Sequence, residues 1–322
     1  MAAVSASYAQ VAITGGVDFT FGKSTASSAA STSYAMDPKT GLAAATTTPA
    51  GAVSKGLAAT DAYIDVGVTE DLGGGLKAII NMEFNSDGGW GANNYSGDKN
   101  ITLAGASGSL TLANTRSGGI LNAIMLAPEV SSTDHWSGAN SGVMSRAPVD
   151  AMVIMLPAMG AFTPGYKYVE KADGYGTPAS VTHVLYGKYA QGPLTAVAEY
   201  NILTLADGAT PANAQMKRLD ATVTYDAGVA KFALGIETAG LLSDTTTSTG
   251  AAATATLLSA VMPVGSHSIG MNWGKRDAAS FTEFAGQYNF SKLTYVAACV
   301  GTIGDQTGFS SDTFGVRLGK NF

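Results

Sequence analysis

Apolar and polar residues alternate along most of this chain. In "QVAITGGVDFTFG" (10–22), Val11, Ile13, Val17, Phe19 and Phe21 share one face, and Ala12, Thr14, Gly16, Asp18 and Thr20 share the other. "ATDAYIDVGVTEDL" (59–72) sets Ala62, Ile64, Val66 and Val68 against Tyr63, Asp65, Gly67 and Thr69. "GLKAIINMEF" (75–84) sets Leu76, Ala78, Ile80, Met82 and Phe84 against Lys77, Asn81 and Glu83. The closing "SDTFGVRLGKNF" (311–322) carries Phe314, Val316, Leu318 and Phe322 on one side, with Lys320 among them, and Thr313, Gly315, Arg317 and Gly319 on the other. Period two predicts strands with one apolar and one polar face.

The connections alternate in length. Tight junctions with Gly, Asp or Pro occur at 72–76, 106–109, 158–160, 190–193, 225–229, 263–266 and 290–292. Between them lie longer polar stretches: 23–56, 86–97, 117–147, 171–180, 206–214, 242–251, 274–279 and 304–311. Seven turns and eight loops imply sixteen strands. A membrane barrel with short periplasmic turns and longer outer loops has this rhythm, and a sandwich has no reason for it. A last strand left as an edge would invite aggregation. Residues 311–322 are therefore expected to pair with the first strand, 9–22, and close the barrel.

Composition narrows the class. The 322 residues include 40 glycines, 10 prolines and 13 tyrosines, and only 13% are charged, against about 25% in soluble domains. Mean hydropathy is +0.15. A net charge of −6 leaves no basic stripe for nucleic acid. The longest apolar runs, 151–162 and 251–265, contain proline and fall short of the roughly 18–20 residues of a spanning helix. A closed β-barrel is the remaining way to satisfy backbone inside a bilayer. Ten aromatics (Trp90, Tyr95, Phe162, Tyr166, Tyr189, Tyr200, Tyr225, Trp273, Tyr288 and Phe290) fall mostly near expected strand ends, where interfacial girdles sit. The opening "MAAVSASYAQ" reads either as a signal-peptide remnant ending at Ala9 or as a flexible start to the first strand.

Catalytic and metal chemistry find little support. Cys299 is alone, and His135, His183 and His267 lack metal-ligand spacing. No GxSxG elbow or phosphate loop is present. A barrel-rim serine–histidine pair using Ser180 or Ser268 is the weaker alternative. The expectation is a non-enzymatic protein without metal or cofactor. The Ser/Thr/Ala-rich stretch 23–56 reads as a solvated outer loop.

Five internal stretches, "TEDLGGGLKAI" (69–79), "YAQGPLTAVAEY" (189–200), "TYDAGVAKFALG" (224–235), "MPVGSHSI" (262–269) and "YNFSKLTYVAA" (288–298), together with the closing "FGVRLGKNF", resemble the trimeric general porins of Gram-negative outer membranes, most nearly those of β-proteobacteria. The resemblance implies an all-β fold: one closed sixteen-stranded antiparallel barrel over 1–322, with long outer loops and a third loop (117–145) folded inward as a constriction. It also implies a homotrimer in outer-membrane lipid and lipopolysaccharide, passing small hydrophilic solutes. Phe322 would be the assembly signal, and Trp90, in 86–97, the contact to a neighbouring subunit.

In that family, acidic residues of the third loop face arginines across the pore. Glu129 and Asp134 match the acidic side. On the basic side the chain departs from the pattern: Tyr63, Gly67, Asn114 and Val153 fall where basic residues are usual, leaving Arg116, Arg146 and Arg317 as pore cations. Asp18, Asp65 and Glu83 add negative charge to the inward faces, and Lys77 offsets part of it. The expected channel is weakly negative or near neutral and mildly cation-preferring. A structural scaffold barrel and a solute-specific uptake channel are the alternatives.

Overall fold

The computed structural model describes residues 9–25, 31–36, 43–48, 54–85, 97–118, 120–128, 130, 146–171, 180–205, 215–241, 253–276, 279–304 and 310–322. Its strands, in chain order, are β1 Gln10–Thr25, β2 Ser31–Met36, β3 Ala43–Thr48, β4 Ser54–Gly73, β5 Leu76–Asn85 and β6 Lys99–Gly105. Next come β7 Gly108–Gly118, β8 Arg146–Met155, β9 Phe162–Lys171, β10 Ser180–Gln191, β11 Leu194–Leu205 and β12 Gln215–Asp226. The last are β13 Lys231–Leu241, β14 Ala253–Val264, β15 His267–Arg276, β16 Ala279–Asn289, β17 Thr294–Gly304 and β18 Ser310–Asn321.

Sixteen of these strands, β1 and β4 to β18, form one closed antiparallel barrel. The closing pair is β1 with β18, in register from Gly16 opposite Asn321 to Thr25 opposite Asp312. Closure follows from the alternation: each strand offers an apolar outer face and hydrogen-bonds on both edges, so no edge remains. Outward Phe19, Leu234, Phe284 and Leu318 are exposed, whereas Asp18, Gly235, Glu283 and Arg317 beside them in sequence are buried inside. All seven tight junctions connect neighbouring strands. Gly228 and Gly265 turn the chain there at φ 81° and 64°, a region glycine enters without strain. Phe162, Tyr189, Tyr225, Tyr288 and Phe290 stand exposed at these turn ends, as a girdle requires.

Stretch 23–56 differs from a plain loop. β1 and β4 extend into it, and β2 and β3 pair as a separate two-stranded sheet, Ser31 opposite Thr48 and Met36 opposite Ala43. Its Ser/Thr/Ala sequence shows no apolar–polar period that would reveal a strand. Threonine favours extended backbone nonetheless.

Candidate pore constriction

The connection after β7 enters the barrel. Its described part contains a short 3-10 turn, Asn122–Ile124, and it runs along the inner wall rather than outward. Leu121 and Ile124 pack on Ala233, Ala255, Leu257, Phe281 and Ile303. Ala127 and Val130 pack on Ala285, Ala297 and Cys299. The wall beneath is built from small residues. A Cβ on Gly235 would stand 2.5 Å from Leu121 Cδ2, and one on Gly270 would stand 2.8 Å from Ala127 Cα. Gly315 leaves just enough room for Val130, whose Cγ1 is 3.3 Å from that position.

Loop backbone buried against a wall needs hydrogen-bond partners, and the inward polar positions supply them. The Leu126 N–H donates to Ser259 Oγ at 2.8 Å and the Ala127 N–H to Asn272 Oδ1 at 3.4 Å. Thr20 Oγ1 donates to the Val130 carbonyl at 3.2 Å. Asn272 is itself oriented by donating Nδ2 to Glu283 Oε2 at 3.0 Å. The loop thus spans the lumen side from β13 round to β1.

Two charged groups of residues face the water path. Where β18 meets β1 and β4, a cavity of about 230 Å³ is lined by Asp18, Tyr63, Asp65, Glu83 and Arg317, joined by Tyr295 and Asn321. Arg317 Nη2 is ion-paired with Asp18 Oδ2. Tyr295 donates its hydroxyl to Asp18 Oδ1 at 3.0 Å. Asp65 lies directly opposite Glu83 in the β4–β5 register, and Glu83 accepts from Asn85 Nδ2 at 2.8 Å. Gly16 makes room here, since a Cβ on it would sit 3.0 Å from Tyr63 Cε1.

The second group is a ladder on β9 to β15. Lys167 Nζ meets Glu199 Oε1 at 2.5 Å and lies 4.8 Å from the centre of the Tyr186 ring. Arg218 Nε contacts Asp220 Oδ2 at 2.8 Å, and its Nη1 lies 3.4 Å from Glu237 Oε1. Arg276 Nη2 reaches the same Glu237 oxygen at 2.6 Å. Asn201 Nδ2 adds a donor to Asp220 Oδ2 at 3.0 Å. Sequence reasoning missed these bases because it looked for them only at the family's usual positions. The signal was present: Lys167, Arg218 and Arg276 occupy the polar phase of their strands.

Five of the residues singled out from sequence, Asp18, Tyr63, Asp65, Glu83 and Arg317, share the first cavity. Arg116 and Arg146 do not join them. In the β7–β8 register Arg116 is opposite Pro148 and Arg146 is opposite Gly118, and the side chains of both lie outside the described ones. Glu129, Asp134 and Trp90 lie outside the described residues. Phe322 pairs its backbone with Gly15 at the barrel seam.

No curated protein sequence matches the chain. Among solved structures, the anion-selective porin from Comamonas acidovorans is similar at 18% identity, covering 98% of this chain and 100% of that one, with a TM-score of 0.68. Salmonella typhi OmpF, solved in complex with daunomycin, is 12% identical over 97% of each chain, with a TM-score of 0.64. Vibrio cholerae OmpT in its trimer form is 10% identical over 98% and 99%, with a TM-score of 0.63. The family model for Gram-negative porins matches residues 1–308. A closed barrel with a loop laid inside it, matched over nearly its whole length by that family, establishes that the chain belongs to the Gram-negative porins and is an outer-membrane diffusion channel.

Proposed function

We propose that three copies of the chain assemble into a trimer of water-filled pores that pass small hydrophilic solutes and ions, with a weakly negative lining and a mild preference for cations. The observation that carries the selectivity is the charge balance of the lumen. Among the described residues, each of Lys167, Arg218, Arg276 and Arg317 contacts a carboxylate. Asp65 and Glu83 add negative charge to the cavity that Asp18 and Arg317 share. In a narrow pore with low-dielectric walls, a few such side chains dominate which ions enter. Passage needs no covalent chemistry; pore width, lining charge and the inward loop set what enters.

The trimer rests on β8. Its inner phase holds Ala151, Val153 and Met155, and its outer phase holds Met152 and Ile154, so the strand suits cover by protein on both sides. The trimer form of Vibrio cholerae OmpT offers the same assembly by analogy. Reversal potentials across a planar bilayer in a salt gradient test the selectivity, and a clear anion preference overturns it. Native mass measurement in mild detergent tests the assembly, and monomer alone overturns it.

A further inference from the structure

One row of outward positions crosses four strands. Lys99 on β6 is opposite Asn114 on β7, Asn114 is opposite Asp150 on β8, and Asp150 is opposite Glu170 on β9. The next row toward the turns is Ile101, Leu112, Met152 and Tyr168. Ile101 and Leu112 are exposed there, as lipid-facing residues are.

The height of Asp150 is unusual. Asp150 precedes the turn-side end of its strand, Met155, by five residues. At about 3.3 Å per residue and a tilt of roughly 35–45°, that is about 12–14 Å, close to the middle of an apolar band about 25 Å tall. At the equivalent height on β10, β14 and β17 the outer face shows Leu185, Leu258 and Val300, exposed by 60%, 44% and 53%. The other outward charges among the described side chains, Glu70, Lys217, Lys275, Asp312 and Lys320, lie within three residues of a strand end, as do Lys99 and Glu170, whereas Asp150 lies four residues inside β8. A lysine or carboxylate at mid-depth is costly against hydrocarbon and is tolerated when protein covers it.

The outer wall is also hollowed at this place. A cavity of about 550 Å³ opens on it, bounded by Leu112, Asp150, Met152, Tyr168 and Glu170. Both acids are oriented: Asn114 Nδ2 donates to Asp150 Oδ1 at 2.8 Å, and the Tyr168 hydroxyl donates to Glu170 Oε2 at 3.1 Å. The row is therefore basic at its β6 end and acidic, with a recess, at its β8–β9 end.

We propose that this belt is a contact between copies of the chain, the Lys99 flank of one subunit meeting the Asp150–Glu170 recess of the next. The proposal rests on the trimer reading and names the surface that makes it. A closed ring of three joins two different flanks head to tail, and a row with opposite charges at its two ends has that complementarity. Each subunit then removes its neighbour's mid-depth Asp150 from lipid.

Two measurements test the proposal. In the first, protomers carrying Lys99→Cys and differently tagged protomers carrying Asp150→Cys are refolded together and treated with a short bis-maleimide; native Cys299 is buried on the inner wall. A covalent product joining the two tags is expected, and neither variant alone should give it. In the second, the unsubstituted protein in lipid is treated with a hydrophobic carbodiimide, and labelling of Asp150 and Glu170 is read by mass spectrometry. Severalfold less labelling in the assembled form than in dissociated monomer is expected. A trimer by native mass with no cross-link and equal labelling shows the belt facing lipid or lipopolysaccharide and overturns this contact alone. A protein that is only monomeric overturns the trimer reading together with it.

Discussion

Gly15 and Phe322 exchange both backbone hydrogen bonds across the barrel seam, at 3.2 and 2.9 Å, and the Phe322 ring covers the glycine so closely that a Cβ there would overlap it. The seam therefore depends on a missing side chain as much as on an aromatic one. Gly15→Leu is expected to displace the ring and cost about 1–3 kcal/mol, the usual range for overpacking. Urea unfolding in detergent, followed by the shift between folded and unfolded bands on a gel, reads this directly. A stability equal to that of the parent protein counts against the close fit.

Loop anchoring yields a second expectation. Asn272 joins the Ala127 N–H to Glu283, and both side chains are 1% exposed. Asn272→Ala removes a donor from a buried carboxylate, a loss of about 1–3 kcal/mol. It also frees one attachment of the loop. Lower thermal stability together with noisier single-channel current is expected; quiet current of unchanged amplitude argues that the loop is held elsewhere.

The Asp18–Arg317 pair sets a third expectation. Arg317→Ala removes positive charge from a cavity that keeps Asp18, Asp65 and Glu83. The cation-to-anion permeability ratio should rise roughly two- to fivefold. Asp65→Asn with Glu83→Gln should move it the opposite way. Reversal potentials that move together for both variants remove this cavity from the ion path.

Glu129 and Asp134 provide the fourth. Residues on either side of Glu129 lie against the inner wall, Ala127 and Val130 being 8% and 0% exposed. Glu129→Gln combined with Asp134→Asn should reduce cation preference without lowering conductance. Selectivity that does not change places both acids away from the constriction.

Much of this was readable from the chain, and the failures are specific. "LTLANTR" (110–116) states its own phase: Leu110 and Leu112 are exposed, and Asn114 follows them in the outer register. The family overlay had set Asn114 where a pore arginine is usual, and the local alternation was the better guide to its phase. Lys167, Arg218 and Arg276 were recoverable by the same rule. Glu237 serving both Arg218 and Arg276 was not, because the pair Arg276–Glu237 bridges residues 39 positions apart on non-adjacent strands.

Barrel, strand count and closing pair were legible because each depends on local regularities. The side-chain phase of a pleated strand repeats every two residues, glycines mark the turns, and a sheet with apolar outer faces on both flanks can end only by closing. The position of the inward loop and the grouping of the charges follow a different logic. They come from contacts such as Thr20 with Val130, 110 residues apart, and Ala127 with Asn272, 145 residues apart. No period in the chain encodes such meetings. They exist once strand stagger, barrel curvature and a floor of small side chains have set which inner positions share a height.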